Sequence, residues 1–377
     1  MTTSVSQRDE ELMRRCLELA QRGEGRTAPN PMVGCVITDR RGKVVAEGWH
    51  RLAGDVHAEV DALARAGGKV PGGTMYTNLE PCRHSGRTPP CAPMVAQSGL
   101  VRLVVGMEDP IEDHAGGAVW LRRHGMKVRM DVLRAESEEL NRAFLVWARQ
   151  GRPWFTLKAA TTLDGKVATW RGESKWVTGE PARQEGHVLR NGHDAILVGV
   201  GTVLADDPAL TVRGVKGSRD PMRVVVDSSL RTPPGAAVMK SRGRGASRTK
   251  VVFATTRAAP ATRERRLQRA GADVWRLPSR GGRVDLKALG RRLAIAGVTS
   301  VLVEGGPTVH GSLLEAGLAD EVRLFLAPSV LGGQGRRVGP SWAGGKGVDK
   351  LADAWRMRFV GQPRLVGDDL LLTLRPR

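Results

Sequence analysis

Apolar positions in the first 150 residues recur with two different spacings. A three-and-four spacing near the start predicts one face of an amphipathic helix, formed by Leu12, Met13, Cys16, Leu17 and Ala20. Short β-rich runs predict strands in MVGCVITD, VVAEGWH, TMYTNLEP and VRLVVGME, and further helical spacing appears in HAEVDALARAGG and in one long closing helix, DVLRAESEELNRAFLVWARQ. Strands that alternate with helices predict a layered α/β domain.

The pattern is interrupted after residue 150, where Gly151 and Pro153 predict a domain boundary. The remaining chain again alternates β-rich runs with helical segments such as ALGRRLAIAG, and no internal repeat relates the two halves. The predicted strands are FTLKAATTL, DAILVGVG, MRVVVDSS, KVVFATT, SVLVEGG and EVRLFLAP, followed by a terminal hairpin in RLVGDDLLLTL. We therefore predict two α/β domains, over residues 1–150 and 151–377.

The net charge of +20 raises the question of a nucleic-acid partner. The basic residues are spread along the chain, and only KSRGRGASRTK concentrates them. Aromatic residues make up 4% of the chain, so few side chains are available for stacking on unpaired bases. We predict that the charge attracts phosphate-bearing small molecules, and we expect neither a nucleic-acid nor a membrane partner.

Localisation follows from segments that the sequence lacks. No apolar run has the length of a membrane span, and the first residues lack the apolar core of a secretory signal. The four cysteines are too few and too unevenly spread for a disulfide framework. These features predict a cytoplasmic protein whose cysteines are buried or bind a metal.

Four residues of the first domain predict a zinc site. His57 opens a predicted helix, Glu59 follows it, and Cys82 and Cys91 both lie next to prolines. One His and two Cys ligands leave a fourth tetrahedral position open, as in catalytic zinc sites, and a carboxylate such as Glu59 can then move protons. The pattern is typical of zinc-dependent nucleobase deaminases, although the cysteines are further apart than usual. The alternative is a surface histidine with two buried thiols.

The glycine-rich segments of the second domain are weaker signals. In VGVGTVLA, Leu204 stands where a dinucleotide-binding fingerprint has its third glycine. In EGGPTVHGSLL, two glycines end a strand and Pro307 suits a first helical turn, so the helix N-terminus can offer N–H groups to a phosphate. A tight strand-to-helix turn without any ligand explains the same residues.

Six segments together resemble the bifunctional deaminase/reductase family of riboflavin biosynthesis. They occur in that family's order and are TAPNPMVGCVI, AGDVHAEVDAL, YTNLEPCRHSGRTPPC, GESKWVTG, LVGVGTVLADDPALTVR and LVEGGPTVHGSLL. The resemblance spans nearly the whole chain, and the long spacing between the cysteines is typical of this branch. It implies a cytidine-deaminase-like three-layer α/β/α zinc domain, followed by a dihydrofolate-reductase-like α/β domain that uses NADPH.

The resemblance also implies two consecutive reactions. The first domain would hydrolytically deaminate 2,5-diamino-6-(5-phosphoribosylamino)pyrimidin-4-one. The second would use NADPH to reduce the ribosyl group to ribityl, giving 5-amino-6-(5-phosphoribitylamino)uracil. Because members of the family form dimers or tetramers, a homo-oligomer is implied as well.

Site residues are carried over from the family by position. Glu59 is the implied catalytic residue, and the zinc ligands are His57, Cys82 and Cys91. The implied cofactor contacts are Ala160, Trp176, Thr202, Asp206, Gly306, Pro307 and Thr308. The implied substrate contacts are Asn30 in the deaminase and Ser174, Arg190, Leu210, Arg213 and Glu304 in the reductase.

Some positions of the first domain depart from the family pattern. Ile111 stands where the family usually has Asn, and Arg83 stands where a small polar residue is commoner, whereas His50 and His84 match family histidines near the site. Two other functions stay open. One is a zinc deaminase that acts on a nucleic-acid base, and the other is a half-active family member without reductase activity.

Overall fold

The computed structural model of this protein describes residues 6–84, 89–240 and 249–377. Most of the basic segment at 240–250 and part of the segment between Cys82 and Cys91 therefore lie outside the described residues. The chain divides into two compact units, of which the first ends at Gly151 and the second begins at Arg152. None of the described helices combines the length and the apolar character that crossing a membrane requires.

The first unit is built on one five-stranded sheet. Its elements are α1 (Gln7–Gln21), β1 (Gly34–Thr38), β2 (Val44–Trp49), α2 (Ala58–Arg65), β3 (Thr74–Leu79), α3 (Cys91–Gln97), β4 (Arg102–Met107), α4 (Gly117–Arg123), β5 (Lys127–Arg129), α5 (Arg134–Leu140) and α6 (Arg142–Gln150). The strand order is β2-β1-β3-β4-β5, with β1 antiparallel to both of its neighbours and β3, β4 and β5 parallel. The sequence predictions did not include α4 or β5.

Successive side chains of β1 point to opposite faces of this sheet, as the strand period of two requires. Cys35 and Ile37 pack with residues of α2, α3 and α4, whereas Val36 packs with residues of α1. Within α1, Leu19 is fully buried and Leu17 is only partly buried, so Leu19 takes the place that the spacing assigned to Leu17. The sheet thus lies between two helical layers, and the α/β layering predicted from the alternation is confirmed.

The closing helix predicted over 131–150 is wrong in one respect, because it forms two helices. α5 ends before Asn141 and α6 begins after it. Asn141 is buried, its Nδ2 donates to the carbonyl of Met32 at 3.0 Å, and its Oδ1 accepts from the Met32 N–H at 2.8 Å. Asparagine side chains that bond backbone groups compete with helix continuation. Since the partner lies 109 residues away, helical spacing could not reveal the break.

The second unit is built on a larger, mostly parallel sheet of ten strands. Its elements are β6 (Trp154–Thr162), α7 (Glu180–Gly192), β7 (Ala195–Gly199), α8 (Val200–Asp206), β8 (Met222–Val226), β9 (Val251–Thr256), α9 (Ala261–Arg269), β10 (Asp273–Leu277), β11 (Ser279–Arg280), β12 (Arg283–Val284), α10 (Leu286–Ile295), β13 (Ser300–Val303), α11 (Pro307–Glu315), β14 (Glu321–Ala327), β15 (Met357–Phe359), β16 (Arg364–Val366) and β17 (Asp369–Pro376). The order is β10-β9-β8-β7-β13-β6-β14-β17-β15, and β16 pairs with β17 as the predicted terminal hairpin. β11 and β12 form a separate hairpin.

A crevice opens where the strand order of the second sheet reverses. From β7 the chain proceeds outward through β8, β9 and β10, and it returns to place β13 on the other side of β7. Ligands of open parallel sheets bind at the carboxyl ends of strands at such a switch point. Space is tight here, because a Cβ on Gly199 would lie 2.8 Å from Cγ2 of Val309 and one on Gly305 would lie 3.0 Å from Cβ of Val309. A larger residue at either position would therefore displace the Val309 side chain.

Candidate active sites

Three metal-ligating side chains meet in the first unit. His57 caps the N-terminus of α2, Cys82 follows β3, and Cys91 is the first residue of α3. The Nδ1 atom of His57 lies 3.2 Å from Sγ of Cys91 and 3.5 Å from Sγ of Cys82. The three donor atoms all lie within 4.8 Å of one another. This spacing and donor set suit one tetrahedral ion with a fourth position left open.

The local electrostatics favour a thiolate at Cys82. The hydrogen bond from the Cys91 thiol, together with the nearby His57 ring, lowers the pKa of Cys82 well below its usual range. The Cys91 backbone N–H also donates to Sγ of Cys82, at 3.4 Å. Because a metal is bound by thiolate and not by thiol, these groups prepare Cys82 as a ligand.

Glu59 lies in the first turn of α2, and its residue is 4% exposed. It lines a cavity of about 150 Å³ together with His57 and Cys82. Burial raises the pKa of the Glu59 carboxyl to about 7. A carboxyl group with a pKa near neutrality, placed beside a metal site, is suited to exchanging protons.

Asn30 lines the same cavity and is held there by His50. Because the Nδ1 atom of His50 lies 3.1 Å from the Val56 carbonyl, which can only accept, Nδ1 carries the proton. Its Nε2 atom therefore accepts from Nδ2 of Asn30 at 3.1 Å. Burial lowers the pKa of His50, which keeps the ring neutral for this pair of bonds. The predicted substrate contact is thus oriented by a second, buried side chain.

Glu80 also lines this cavity, and the sequence analysis assigned it no role. The residue is buried, and its carboxylate accepts three backbone hydrogen bonds, from Asp109 at 3.1 Å, Gly116 at 3.3 Å and Ala118 at 3.0 Å. These bonds fasten segment 109–118 beside the cavity. The only signal in the sequence was an acidic residue between a buried strand and a Pro-Cys pair.

Segment 109–118 contributes two side chains to the cavity, Asp109 and His114. The ring of His114 stacks on that of His84, with 3.5 Å between the centroids. Ile111, noted as a departure from the family pattern, lies in the turn that carries His114, because the Ile111 carbonyl accepts from the His114 N–H at 2.9 Å. Arg83 joins this turn through its backbone N–H, which donates to the His114 carbonyl at 3.4 Å.

A cavity of about 1160 Å³ occupies the crevice of the second unit. Most of the residues that the family resemblance assigned to the reductase line it. Those lining residues are Ala160, Ser174, Trp176, Arg190, Thr202, Asp206, Arg213, Glu304, Gly306, Pro307 and Thr308. Leu210 differs, because its side chain is 3% exposed and packs in a hydrophobic cluster with Val203 and Leu230 instead of lining the cavity.

The carboxylate of Glu304 forms a bidentate salt bridge with Arg190. Nε and Nη2 of Arg190 each donate to one Glu304 oxygen at 2.7 Å, and Nη1 donates to the Thr211 carbonyl at 2.9 Å. Burial opposes ionisation of Glu304, but the guanidinium of Arg190 outweighs burial and lowers the pKa to about 2. The guanidinium of Arg190, an implied substrate contact, therefore holds Glu304 as a negative charge in this structure.

Lys158 lies on β6, and the sequence analysis assigned it no role. Its side chain lines the cavity, and burial lowers the pKa of its ammonium group, with Glu304 acting in the opposite direction. Within residues 6–84, 89–240 and 249–377, no group forms a hydrogen bond with this ammonium. Its Nζ atom lies 5.4 Å from the centroid of the Phe325 ring.

Two hydrogen bonds connect predicted contact residues across the crevice. The Gly306 N–H donates to Oγ1 of Thr202 at 3.1 Å, which joins the start of α8 to the turn before α11. Oγ of Ser174 donates to Oδ1 of Asp206 at 3.4 Å. The first bond fixes the N-terminus of α11 at the crevice, where unpaired N–H groups suit a phosphate.

Two family models match the chain, one for each unit. The model described as the cytidine and deoxycytidylate deaminase zinc-binding region matches residues 6–107. The model described as the RibD C-terminal domain matches residues 153–361, which is more than half of the chain. The riboflavin biosynthesis protein RibD of Bacillus amyloliquefaciens is 40% identical over 370 residues, covering 98% of this chain and 96% of that protein. This chain belongs to the RibD family.

Other RibD proteins agree with this assignment along their full length. Escherichia coli RibD is 40% identical, covering 97% of this chain and 99% of that protein. The solved structure of Acinetobacter baumannii RibD has a TM-score of 0.87 at 32% identity, covering 98% of this chain and 99% of that one. A deaminase/reductase structure from Thermotoga maritima has a TM-score of 0.84 at 33% identity, covering 98% and 99%.

Membership of the RibD family confirms several predictions. The chain is an enzyme with a cytidine-deaminase-like α/β/α unit and a dihydrofolate-reductase-like α/β unit. Zinc and NADPH are confirmed as its cofactors, and the donor set formed by His57, Cys82 and Cys91 fits zinc. The full-length similarity favours a bifunctional enzyme over the nucleic-acid deaminase and over the half-active protein.

Proposed function

We propose that this chain performs two consecutive steps of riboflavin biosynthesis, with one step in each domain. Residues 1–150 deaminate 2,5-diamino-6-(5-phosphoribosylamino)pyrimidin-4-one, and residues 151–377 reduce the product with NADPH to 5-amino-6-(5-phosphoribitylamino)uracil. The observation that carries the proposal is that one RibD-family chain holds both a buried acid beside a His-Cys-Cys cluster and a large cavity at a sheet switch point.

In the deaminase, His57, Cys82 and Cys91 would hold zinc, which when bound makes a water molecule a nucleophile near neutral pH. Glu59 accepts a proton from the attacking water and delivers it to the departing amino group, so that water and the amine become a ring carbonyl and ammonia. Asn30, oriented by His50, positions the pyrimidine by hydrogen bonds. Because Glu59 is buried, it is shielded from bulk solvent during the transfer.

In the reductase, NADPH supplies the hydride, and the protein binds, orients and shields the reactants. The first turn of α11, with Gly306, Pro307 and Thr308, would take a cofactor phosphate at its unpaired N–H groups. Further cofactor contacts would come from Ala160, Trp176, Thr202 and Asp206.

Glu304 and its neighbours would contact the sugar phosphate. Because Arg190 keeps Glu304 ionised, Glu304 can accept hydrogen bonds from ribose hydroxyls throughout the neutral pH range. Ser174 and Arg213, both in the cavity lining, are the proposed contacts to the phosphate. Leu210 would contribute through its backbone, because its side chain is buried in a separate cluster.

We further propose that the enzyme acts in the cytoplasm as a homo-oligomer and binds neither nucleic acid nor a membrane. The four cysteines form no disulfide, which fits a reducing compartment. The homo-oligomer is proposed from the family resemblance. Sedimentation at several salt concentrations, with and without single-stranded nucleic acid, measures the oligomer and the nucleic-acid binding together.

The proposed function is tested by following ammonia release and NADPH absorbance together on zinc-loaded protein supplied with the diaminopyrimidine substrate. We expect ammonia to appear first and NADPH oxidation to follow. A Glu59→Ala variant should lose both signals and should regain NADPH oxidation when it is given the deaminated intermediate. Zinc content, measured in both proteins, controls for loss of the metal.

Other outcomes of this experiment would contradict the proposal in distinguishable ways. Ammonia release without any NADPH oxidation, even with the intermediate, would show that the second domain is not a reductase. Full ammonia release by Glu59→Ala would remove Glu59 from the catalytic step.

A further inference from the structure

A segment between β14 and β15, residues 338–346, lies against α11 and lines part of the large cavity, and we call it the strap. Pro340 and Trp342 are its cavity-lining residues. The Gly344 N–H donates to the Pro307 carbonyl at 2.9 Å, which attaches the strap to the first turn of α11. The position of this part of the cavity lining therefore depends on how firmly the strap is held.

His310, on α11, makes the buried contacts between the strap and the sheet, and the residue is 2% exposed. Its Nδ1 atom lies 2.9 Å from the carbonyl oxygen of Trp342 on the strap. Its Nε2 atom lies 3.2 Å from the carbonyl oxygen of Val303, the last residue of β13. The strap runs directly against the helix, because a Cβ on Gly311 would overlap the Gly344 carbonyl. The imidazole ring thus lies between the strap and the end of a central strand.

The two contacts of His310 need two ring protons. A carbonyl oxygen can only accept, and a neutral imidazole has one N–H, so only the imidazolium can donate to both carbonyls. His193, in the same unit, differs in this respect. Its Nδ1 atom lies 2.6 Å from the Leu189 carbonyl, but its Nε2 atom lies 3.1 Å from Oγ1 of Thr156. Because a hydroxyl can donate as well as accept, a neutral His193 satisfies both of its contacts.

The surroundings keep the His310 ring neutral near neutral pH. Burial lowers the pKa of His310, and the ammonium of Lys158 on β6 acts in the same direction. The two carbonyl contacts and the Glu304 carboxylate after β13 act against burial and do not outweigh it. Neither β13 nor strap residues 338–345 carry a charged side chain. A neutral ring leaves one of its two carbonyl contacts without a proton.

We propose that His310 is a positioning residue of the reductase, which takes up a second proton when NADPH binds and then donates to Val303 and Trp342 together. The inference rests on the proposed function, which puts a cofactor phosphate at the first turn of α11. Pro307 and His310 lie about one helical turn apart, roughly 4.5 Å along the axis. A phosphate that close favours the imidazolium, and the proton comes from solvent. The doubly bonded ring then fastens the strap while the cofactor is bound.

The proton and the cofactor should therefore strengthen each other's binding. Because the bound cofactor raises the proton affinity of His310, affinity for NADPH should increase as the pH falls from 8 toward 6.5. The 2′-phosphate of NADPH also titrates, at roughly pH 6. Since that group is the same for every variant, the difference between proteins reports His310 alone.

Calorimetry on the full chain measures the proton directly. NADPH is titrated at pH 7 in buffers of different ionisation enthalpy, and the slope of the binding enthalpy against the ionisation enthalpy gives the protons taken up. We expect the wild type to take up at least about 0.5 proton more than His310→Asn, whose amide can donate to the Trp342 carbonyl but cannot titrate. His193→Asn is the matched control and should behave like the wild type.

Kinetics and hydrogen exchange test the positioning role. We expect His310→Asn to raise KM for NADPH about tenfold at pH 6.5 and less at pH 8, with kcat within twofold of the wild type. NADPH should slow amide exchange in peptides covering 338–346 at least about tenfold in the wild type and less than threefold in the variant. His310→Gln, which places its amide nearer Val303, takes the place of His310→Asn if that variant does not fold.

Two results would overturn the inference. One is equal proton uptake by the wild type and His310→Asn, and the other is equal protection of the strap by NADPH in both proteins. Failure of the proposed function gives a different result. A wild type that binds NADPH with proton uptake, yet does not oxidise it with the deaminated intermediate, would contradict the reductase assignment and leave the role of His310 standing. A wild type that does not bind NADPH would contradict both.

Discussion

The two catalytic regions each contain a buried glutamate, and the surroundings give the two side chains opposite properties. Within residues 6–84, 89–240 and 249–377 no guanidinium contacts Glu59, and burial raises the pKa of its carboxyl to about 7. The Glu304 side chain is 12% exposed, and its bidentate contact with Arg190 lowers its pKa to about 2. The first can gain and lose a proton near neutrality, whereas the second stays ionised there. The residue type alone therefore does not fix the chemical role; the nearest charge does.

The deaminase and reductase sites also differ in the groups from which they are assembled. The deaminase site depends on three ligands to one ion, and zinc bound there would itself favour ionised Glu59, because a nearby cation stabilises a carboxylate. The reductase site is formed by the ends of several parallel strands, and the described residues bring no cluster of metal-ligating side chains together there. The following predictions use this difference, from the largest expected effect to the smallest.

Removing the metal should separate the two activities completely. Treatment with a zinc chelator, or Cys82→Ala, should reduce ammonia release by at least about 1,000-fold, because the water then lacks its activating ion. NADPH oxidation with the deaminated intermediate should stay within twofold of the untreated protein. Ammonia release that survives with less than one-tenth of the zinc remaining would contradict the assignment of these ligands.

Arg190→Met should remove the cation that keeps Glu304 ionised. Removing one partner of a buried ion pair strands the other charge, so we expect a loss of about 3–5 kcal/mol in the free energy of unfolding. Adding Glu304→Gln should restore a large part of this loss. Chemical denaturation of the single and double variants measures both effects, and equal losses in the two would show that the stranded carboxylate is not the cause.

The stability of the second unit should fall in acid because of Glu304. Its pKa is lower in the folded chain than the ordinary value of 4.5, so its contribution is fully present above that pH and is lost as the pH falls toward 2. The whole contribution is about 3 kcal/mol. Denaturation between pH 6 and pH 3 should therefore show a shallower loss of stability for Glu304→Gln than for the wild type. If the free energy of unfolding fell equally steeply with pH in both proteins, the low pKa of Glu304 would be contradicted.

Glu80→Gln should weaken the deaminase without removing its metal. An amide has one acceptor oxygen where the carboxylate has two, so at least one of the three backbone bonds to segment 109–118 is lost. We expect about a tenfold lower kcat/KM for deamination, mostly through KM, with unchanged zinc content and unchanged NADPH oxidation. Glu108→Gln, an exposed neighbour, is the matched control. A loss of zinc would make Glu80 a structural residue of the metal site instead.

Part of the molecule was predictable from the sequence. The strand and helix alternation is a local property, and the α/β units that it predicted are present. The metal cluster was predictable because few residue types bind zinc, and His57, Cys82 and Cys91 lie within one short stretch of chain. Most of the reductase contacts were found only through the family resemblance, since a glycine-rich turn by itself is explained as well by tight packing.

Other features depend on pairs of residues far apart in the chain, and local spacing carries no information about them. Arg190 and Glu304 are separated by 114 positions, and the fold pairs these two implied substrate contacts with each other. The same holds for Asn141, which ends a helix by bonding Met32, and for Leu210, whose side chain faces the core.

The sequence by itself determined which chemical groups this protein possesses, because ligand type, helix spacing and strand alternation depend only on residues close together in the chain. Only the tertiary structure decided the state of those groups. A carboxyl group titrates near neutrality or remains an anion according to the charges and the solvent around it, and both depend on which distant residues the fold brings within about 3 Å.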